Sequence, residues 1–248
     1  MLADLHNHTC LSPCGSLELT PKVLLEYGAA AGIKLMAVTD HNSSLNCPTF
    51  AKLSSKYDII PIFGMEANTS EEIHTLCLFS NLEKCMAFNE YAYSLLTPYL
   101  NNPEKTGEQV YVDENDKIIG QVDYYLMNHL SISINEIGKK VSECGGIVIP
   151  AHIDRTACSM MSQLGKIIDG PWAALECVNI PPASSGLSIN TLGFPLTTSS
   201  DAHYAEHVGR RSFELNINRE ELLLGNTGGV YNEVNLDALV RALSKRPK

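Results

Sequence analysis

The chain has 248 residues, 44% of them hydrophobic and 19% charged, which is enough to bury a full core. Its formal charge of −10 argues against a general nucleic-acid-binding surface but leaves room for a small phosphorylated substrate, because bound cations reverse the local field. No stretch approaches the roughly 20 apolar residues that span a bilayer, and the first strand leaves no room for a signal peptide, so a cytoplasmic protein without membrane contact is expected.

In chain order, residues 1–6 read as a strand running into Asp4-Leu-His6-Asn-His8. Side chains of an extended segment alternate with period two, so His6 and His8 leave the same face and can reach one ion. Thr20-Pro21 reads as an N-cap followed by proline at the first helical position, the helix covers 22–31, and Gly32 stops it. A strand over 35–39 completes a βαβ unit, predicts a parallel sheet and ends in Thr39-Asp40-His41. His41 is the better ligand there, with Asp40 beside it as ligand or orienting group.

A short helix near 49–55 leads to the buried-strand pattern Ile59-Ile-Pro-Ile-Phe63 and then Gly64-Met-Glu66. A carboxylate such as Glu66 can bridge two cations, which a neutral imidazole does not do readily. His74 lies in the strand-like run 72–79 and is grouped with the other strand-end histidines. Residues of about 82–130 fit the alternation poorly. The alternation of strand and helix elsewhere suggests a β/α barrel, and a helix near 83–96, a loop with Pro98 and Pro103, and a hairpin of 110–112 with 118–122 read as an insertion over its mouth, where selectivity often resides.

Later strands are expected at 147–149, 174–178 and 196–199, the first and last leading to Pro150-Ala-His152 and Ser200-Asp201-Ala-His203. Ligand-type residues thus recur at the ends of apolar β segments, the place where α/β folds put their chemistry. A buried polynuclear metal site follows, and because residues 6 and 203 must meet there, residues 1–248 are read as one domain. Should the substrate carry phosphate, Arg155 is the leading cation for it, with Arg210 and Arg211 next, since a guanidinium presents forked donors to phosphate oxygens. The eight cysteines form no framework and read mainly as reduced core residues. Cys10 and Cys14 stand apart, but no further cysteines lie close enough to make an iron–sulfur site the leading reading.

The ordered set His-x-His-Thr, Thr-Asp-His, Gly-x-Glu, an isolated His, Ala-His and Ser-Asp-Ala-His resembles the PHP (polymerase and histidinol phosphatase) superfamily. The motifs run from residue 4 to 203. The resemblance implies an α/β fold, a distorted seven-stranded TIM-like β/α barrel, with two or three divalent ions (zinc, manganese or iron) and phosphoester hydrolysis by a hydroxide between the first two. By motif, His6, His8, Glu66 and Asp201 would hold one ion, and Glu66, His74 and His152 a second. His41 and His203 would hold the third, with a loop residue that is usually Asp or His in the family.

Here that loop reads Thr9-Cys10-Leu-Ser-Pro-Cys14-Gly15. Either Cys14 is the ninth ligand and selects a softer ion, or the third place is weak, absent or completed by Asp40. The resemblance thus implies a metal-dependent phosphatase or phosphodiesterase for a small phosphorylated metabolite or nucleotide, with Asp40, His41, Glu66 and Asp201 in the chemistry. An amidohydrolase-type enzyme, which also starts with His-x-His on a barrel strand, and a metal-binding regulatory module that has lost activity are the competing readings.

Overall fold

In the computed structural model, which describes residues 1–184, 186–225 and 230–246, strand and helix alternate from the first residues onward. Strand β1 (Leu2–Asp4) leads to helix α1 (Pro21–Ala30) and β2 (Leu35–Val38), then α2 (Cys47–Ser54), β3 (Ile60–Asn68) and β4 (His74–Phe79). The start of α1 is set locally. Thr20 Oγ1 accepts from Val23 N at 3.3 Å, and Pro21 occupies a first-turn position whose N–H would have no helical partner. The stop is local too, with Gly32 at φ +77°, a conformation that a Cβ disfavours.

Helices α3 (Leu82–Leu95) and α4 (Pro103–Thr106) and the hairpin of β5 (Val110–Val112) and β6 (Ile118–Gln121) come next, followed by α5 (Ile134–Glu143) and β7 (Ile147–Pro150). Helix α6 (Met160–Leu164) precedes the short strands β8 (Leu175–Glu176), β9 (Ala183–Ser184), β10 (Leu187–Ser188), β11 (Leu196–Thr197) and β12 (Phe213–Glu214). Helices α7 (Arg219–Leu222) and α8 (Leu236–Leu243) complete the described elements.

The main sheet has six strands in the order β12-β1-β2-β3-β4-β7 and curls into a half-barrel. Pairs β1–β2 and β2–β3 are parallel, as the βαβ pattern predicts. The expected parallel sheet does not continue beyond them: β3–β4, β4–β7 and β1–β12 are antiparallel. For β3–β4 the reason is chain length, since residues 69–73 are too few for the crossover a parallel β4 would need. The rest of the arc is a separate parallel pair, β8–β11, linked to the sheet by single bridges at Val148↔Trp172 and Asn7↔Ala202. The outcome is a mixed α/β fold whose curled, half-barrel sheet, among the described residues, counts six continuous strands rather than the expected seven.

Two apolar layers hold this arrangement. Inside the curl, Leu5, Leu35, Ile60, Ile62, Leu76 and Ile149 pack with Leu239 and Leu243 of α8. Outside, Leu24, Leu25, Phe50, Phe63 and Phe88 join sheet to helices. Every residue of β3 is buried, and its stretch 60–65 reads as a continuous apolar run rather than an alternating one.

Helix α3 contributes Cys85, Phe88 and Ala92 to the outer layer and so belongs to the barrel wall. The chain after it crosses the mouth. Val110 N donates to Cys10 O at 3.3 Å, Thr49 Oγ1 to Val112 O at 2.6 Å, and Asn42 Nδ2 to Leu126 O and Asn128 O at 2.8 and 2.7 Å.

Candidate metal centre

The ends of β1, β2 and β7, the rim of β3 and the loop after β11 converge on one buried carboxylate, Glu66. Its oxygens lie 2.9 Å from His74 Nδ1 and His152 Nε2, 3.1 Å from His41 Nδ1, 3.3 Å from His6 Nε2 and 3.4 Å from His8 Nε2. Asp201 Oδ1 is 3.5 Å from His6 Nε2, 3.3 Å from His8 Nε2 and 3.4 Å from His203 Nδ1. The His8 and His203 rings stack with centroids 4.0 Å apart. All eight of these sequence-identified residues therefore come together.

His74 arrives by a different route from the one its sequence context suggested. It is the first residue of β4, not the end of a strand, and it reaches the rim because β4 runs antiparallel, opposite Asn68 at the end of β3. His152 and Asp201 both follow strand-like segments in left-handed backbone, at φ +28° and +46°. For non-glycine residues this is costly, and such strain concentrates where the surrounding structure holds a side chain for function.

The electrostatics favour anionic carboxylates among imidazoles. Burial opposes charge on Glu66, but His74, His6 and His41 outweigh it and hold the carboxyl well below the usual range. Asp201 is likewise lowered against its burial, by His6 and by its hydrogen bond with His8. Burial and the neighbouring His8 push His203 down to about 3, and burial holds His41 well below its ordinary value, so both present neutral rings. His74 goes the other way, to about 10, because Glu66 overcomes its desolvation.

The donor set fits divalent cations. Two donors on one tetrahedral ion at about 2.05 Å stand about 3.4 Å apart, and the cluster's spacings lie around that value. Glu66 Oε2 and His41 Nδ1 are buried without a hydrogen bond although they lie only 3.1 Å apart. His6 Nε2 and His8 Nε2 face each other at 3.1 Å, while His6 Nδ1 contacts Glu176 at 2.9 Å and His8 Nδ1 contacts Ser12 at 3.0 Å. Two inward nitrogens at that distance need a cation or a proton between them. Three triads have donors close enough to share an ion: His6, His8 and Asp201; His41, Glu66 and His74; and His8, His41 and His203.

Other sequence-identified residues sit at the edge. Cys14 is exposed on its loop and belongs to none of the triads. The Asp40 carboxylate is turned toward the loop, accepting from Thr9 N at 2.6 Å and from Thr9 Oγ1 and Ser12 Oγ at 2.7 Å. Arg155 Nη1 donates to Asp201 Oδ2 at 2.9 Å with its side chain 48% exposed. Arg210 and Arg211 instead donate to backbone carbonyls of Ser199, Ser200 and Asp201, bracing the turn that carries Asp201.

Sequence reasoning missed Glu176, which accepts from His6 Nδ1 and also from His152 N at 3.1 Å. The signal was present: Glu176 is a charged residue inside the apolar run 174–178. His129 is exposed and His207 packs edge-on against Tyr204, so neither joins the cluster.

Residues 4–152 match the family model of the PHP domain. The chain belongs to this family. PHP proteins are metal-dependent hydrolases, and the buried histidine and carboxylate cluster described above is what that chemistry needs. The Asp201 and His203 motif lies beyond the matched stretch and joins it only in three dimensions. No curated protein matches the chain.

Among solved structures, the lesion-specific endonuclease PfuEndoQ from Pyrococcus furiosus is similar at 18% identity and TM-score 0.55, covering 94% of this chain and 57% of that one. Endonuclease Q in complex with a 27-mer duplex bearing an abasic lesion is similar at 19% identity and TM-score 0.58, covering 94% and 58%. A metal-dependent phosphoesterase from Bifidobacterium adolescentis is similar at 15% identity and TM-score 0.52, covering 99% and 96%. At these identities the likeness shows a shared PHP fold. The chain spans a little under three fifths of the endonucleases' length.

Proposed function

We propose that the chain is a metal-dependent phosphoesterase acting on a small phosphorylated metabolite or nucleotide, as one domain over 1–248 whose 82–130 segment shapes selectivity. The observation that carries this reading is Glu66, a buried carboxylate met by five imidazoles beside Asp201, with the guanidinium of Arg155 at the open edge. His6, His8, Glu66 and Asp201 would hold one ion, Glu66, His74 and His152 a second, and His41 and His203 a third, the ions being zinc, manganese or iron. Bound there, they would supply Lewis acidity and a nucleophile competent at neutral pH.

The chain's own residues do the rest. Arg155, half in solvent, is free to exchange its contact with Asp201 for phosphate oxygens and so orient the ester. Access is from this side, since the Asp201 and His203 side chains are 10% and 21% exposed while Glu66 is 1% exposed. Asp40 keeps the loop after β1 in place rather than reaching the ester. The acidic surface favours a small substrate, although a PHP neighbour solved on a DNA duplex makes a nucleic-acid substrate worth direct comparison.

The test is a panel of aryl phosphate mono- and diesters, nucleotides, aryl amides and an abasic duplex, each with zinc, manganese or ferrous iron and with Asp201→Ala as control. Hydrolysis of small esters, to phosphate and alcohol from a monoester or to a monoester and alcohol from a diester, that is lost in the variant supports the reading. Activity confined to the duplex would make the chain a nuclease, activity confined to amides would favour an amidohydrolase, and tight metal binding without turnover would favour a regulatory module.

A further inference from the structure

We propose that Ser12 is a positioning residue that fixes His8 and His41 as ligands by tying both to the buried carboxylate of Asp40. This rests on the metal-centre reading above and adds to it how two of the ligands are oriented.

Hydrogen-bond accounting leads to the assignment. A serine hydroxyl has one proton to donate and two lone pairs to accept with. Ser12 Oγ donates to Asp40 Oδ1 at 2.7 Å, the same oxygen that accepts the Thr9 N–H at 2.6 Å, so the hydroxyl proton is committed. Ser12 Oγ also receives the backbone N–H of His41 at 3.2 Å. Its remaining contact, His8 Nδ1 at 3.0 Å, must then be a ring N–H donating to it. With the proton on Nδ1, His8 Nε2 carries its lone pair toward His6 Nε2 and Asp201.

Asp40 is itself immobilised by Thr9 N and Thr9 Oγ1, and Thr9 Oγ1 receives Asn46 Nδ2 at 2.7 Å. Ser12, Asp40 and His8 are at most 2% exposed, so water does not replace a missing partner. His6 has a carboxylate, Glu176, directly on its outer nitrogen. His8 has the same arrangement with one hydroxyl interposed. A buried carboxylate behind a histidine ligand fixes the tautomer and raises ligand basicity, and losing such a partner lowers metal affinity about 10–100-fold.

The experiment is zinc binding to the purified full chain by chelator competition, read as the number of ions and the affinity of each, without any substrate. Ser12→Thr and Ser12→Val have nearly the same shape and differ in the hydroxyl, and Ser12→Ala removes it without added bulk. We expect Ser12→Ala and Ser12→Val to weaken at least one ion about 10–100-fold while binding at Glu66, His74 and His152 persists, and Ser12→Thr to bind more tightly than Ser12→Val by a similar factor. Equal affinities for Ser12→Ala and the unmodified chain would overturn the proposal, as would equal affinities for Ser12→Thr and Ser12→Val. If the unmodified chain takes up no zinc, manganese or iron, the metal-centre reading itself fails, a result distinct from failure of the relay alone.

Discussion

Arg155 is the clearest case at the scale of single residues. The sequence ranks Arg155 ahead of Arg210 and Arg211 only by its nearness to His152; in the structure Arg210 and Arg211 have their donors on backbone carbonyls, whereas Arg155 reaches the open edge through a half-exposed side chain. Arg155→Ala is expected to raise KM for a phosphoester about tenfold or more with a smaller change in kcat, and Arg155→Lys to restore only part of it, because an ammonium lacks the fork. Steady-state kinetics on the metal-loaded enzyme check this, and an unchanged KM would remove Arg155 from the substrate site. Arg210→Ala, by contrast, is expected to act through the Asp201 turn and appear as weaker metal binding.

The strands carry the next level, and β3 shows how tightly they are constrained. Its glycine, Gly64, lies against β4, and a Cβ there would run into the backbone carbonyl of Cys77. Gly64→Ala is therefore expected to destabilise the metal-free fold by about 1–3 kcal/mol, measured by denaturant unfolding, and to displace Glu66 two residues on. A variant as stable as the parent would show that the β3–β4 pair is looser than described. Much of this level was legible beforehand, including the α1 cap, the buried run of β3 and the ligand-type residues that follow β1, β2 and β7. The direction of β4 was not, because a run such as Thr75-Leu-Cys-Leu-Phe79 is equally apolar read either way and only its short link to β3 determines how it pairs.

Over the whole molecule, the segment after α3 is fastened to the loops that carry the ligands. Asn42, at φ +47° just after His41, donates to Leu126 O and Asn128 O and accepts from Asn68 N at 2.9 Å, so one side chain joins three parts of the mouth. Asn42→Ala is expected to loosen residues 97–130 before the barrel unfolds, seen as faster limited proteolysis there, and cleavage at the parental rate would count against that role.

Metal removal acts on the same scale, because the candidate ligands from β1 to the loop after β11 meet only in the folded chain. Zinc at a thousandfold excess over its Kd should add about 4 kcal/mol, a Tm rise on the order of 10 °C. A chelator should reverse it, and a chelator-insensitive Tm would argue against a bound ion. Among the described residues no helix is long and apolar enough to cross a membrane.

What the sequence by itself determined is the inventory of the site: six histidines, Glu66 and Asp201 at the ends or starts of apolar segments, in the order that marks a PHP domain. That much is legible because ligand chemistry restricts residue type and β periodicity restricts facing, and both are local properties. Only the tertiary structure decided that β4 returns antiparallel to bring His74 to the rim and that Glu176 stands behind His6. It likewise set Arg210 and Arg211 against the backbone and left Cys14 outside the triads. Those outcomes depend on which distant segments share a few ångströms of buried space, where an unpaired donor or charge is costly, and no run of neighbouring residues encodes that by itself.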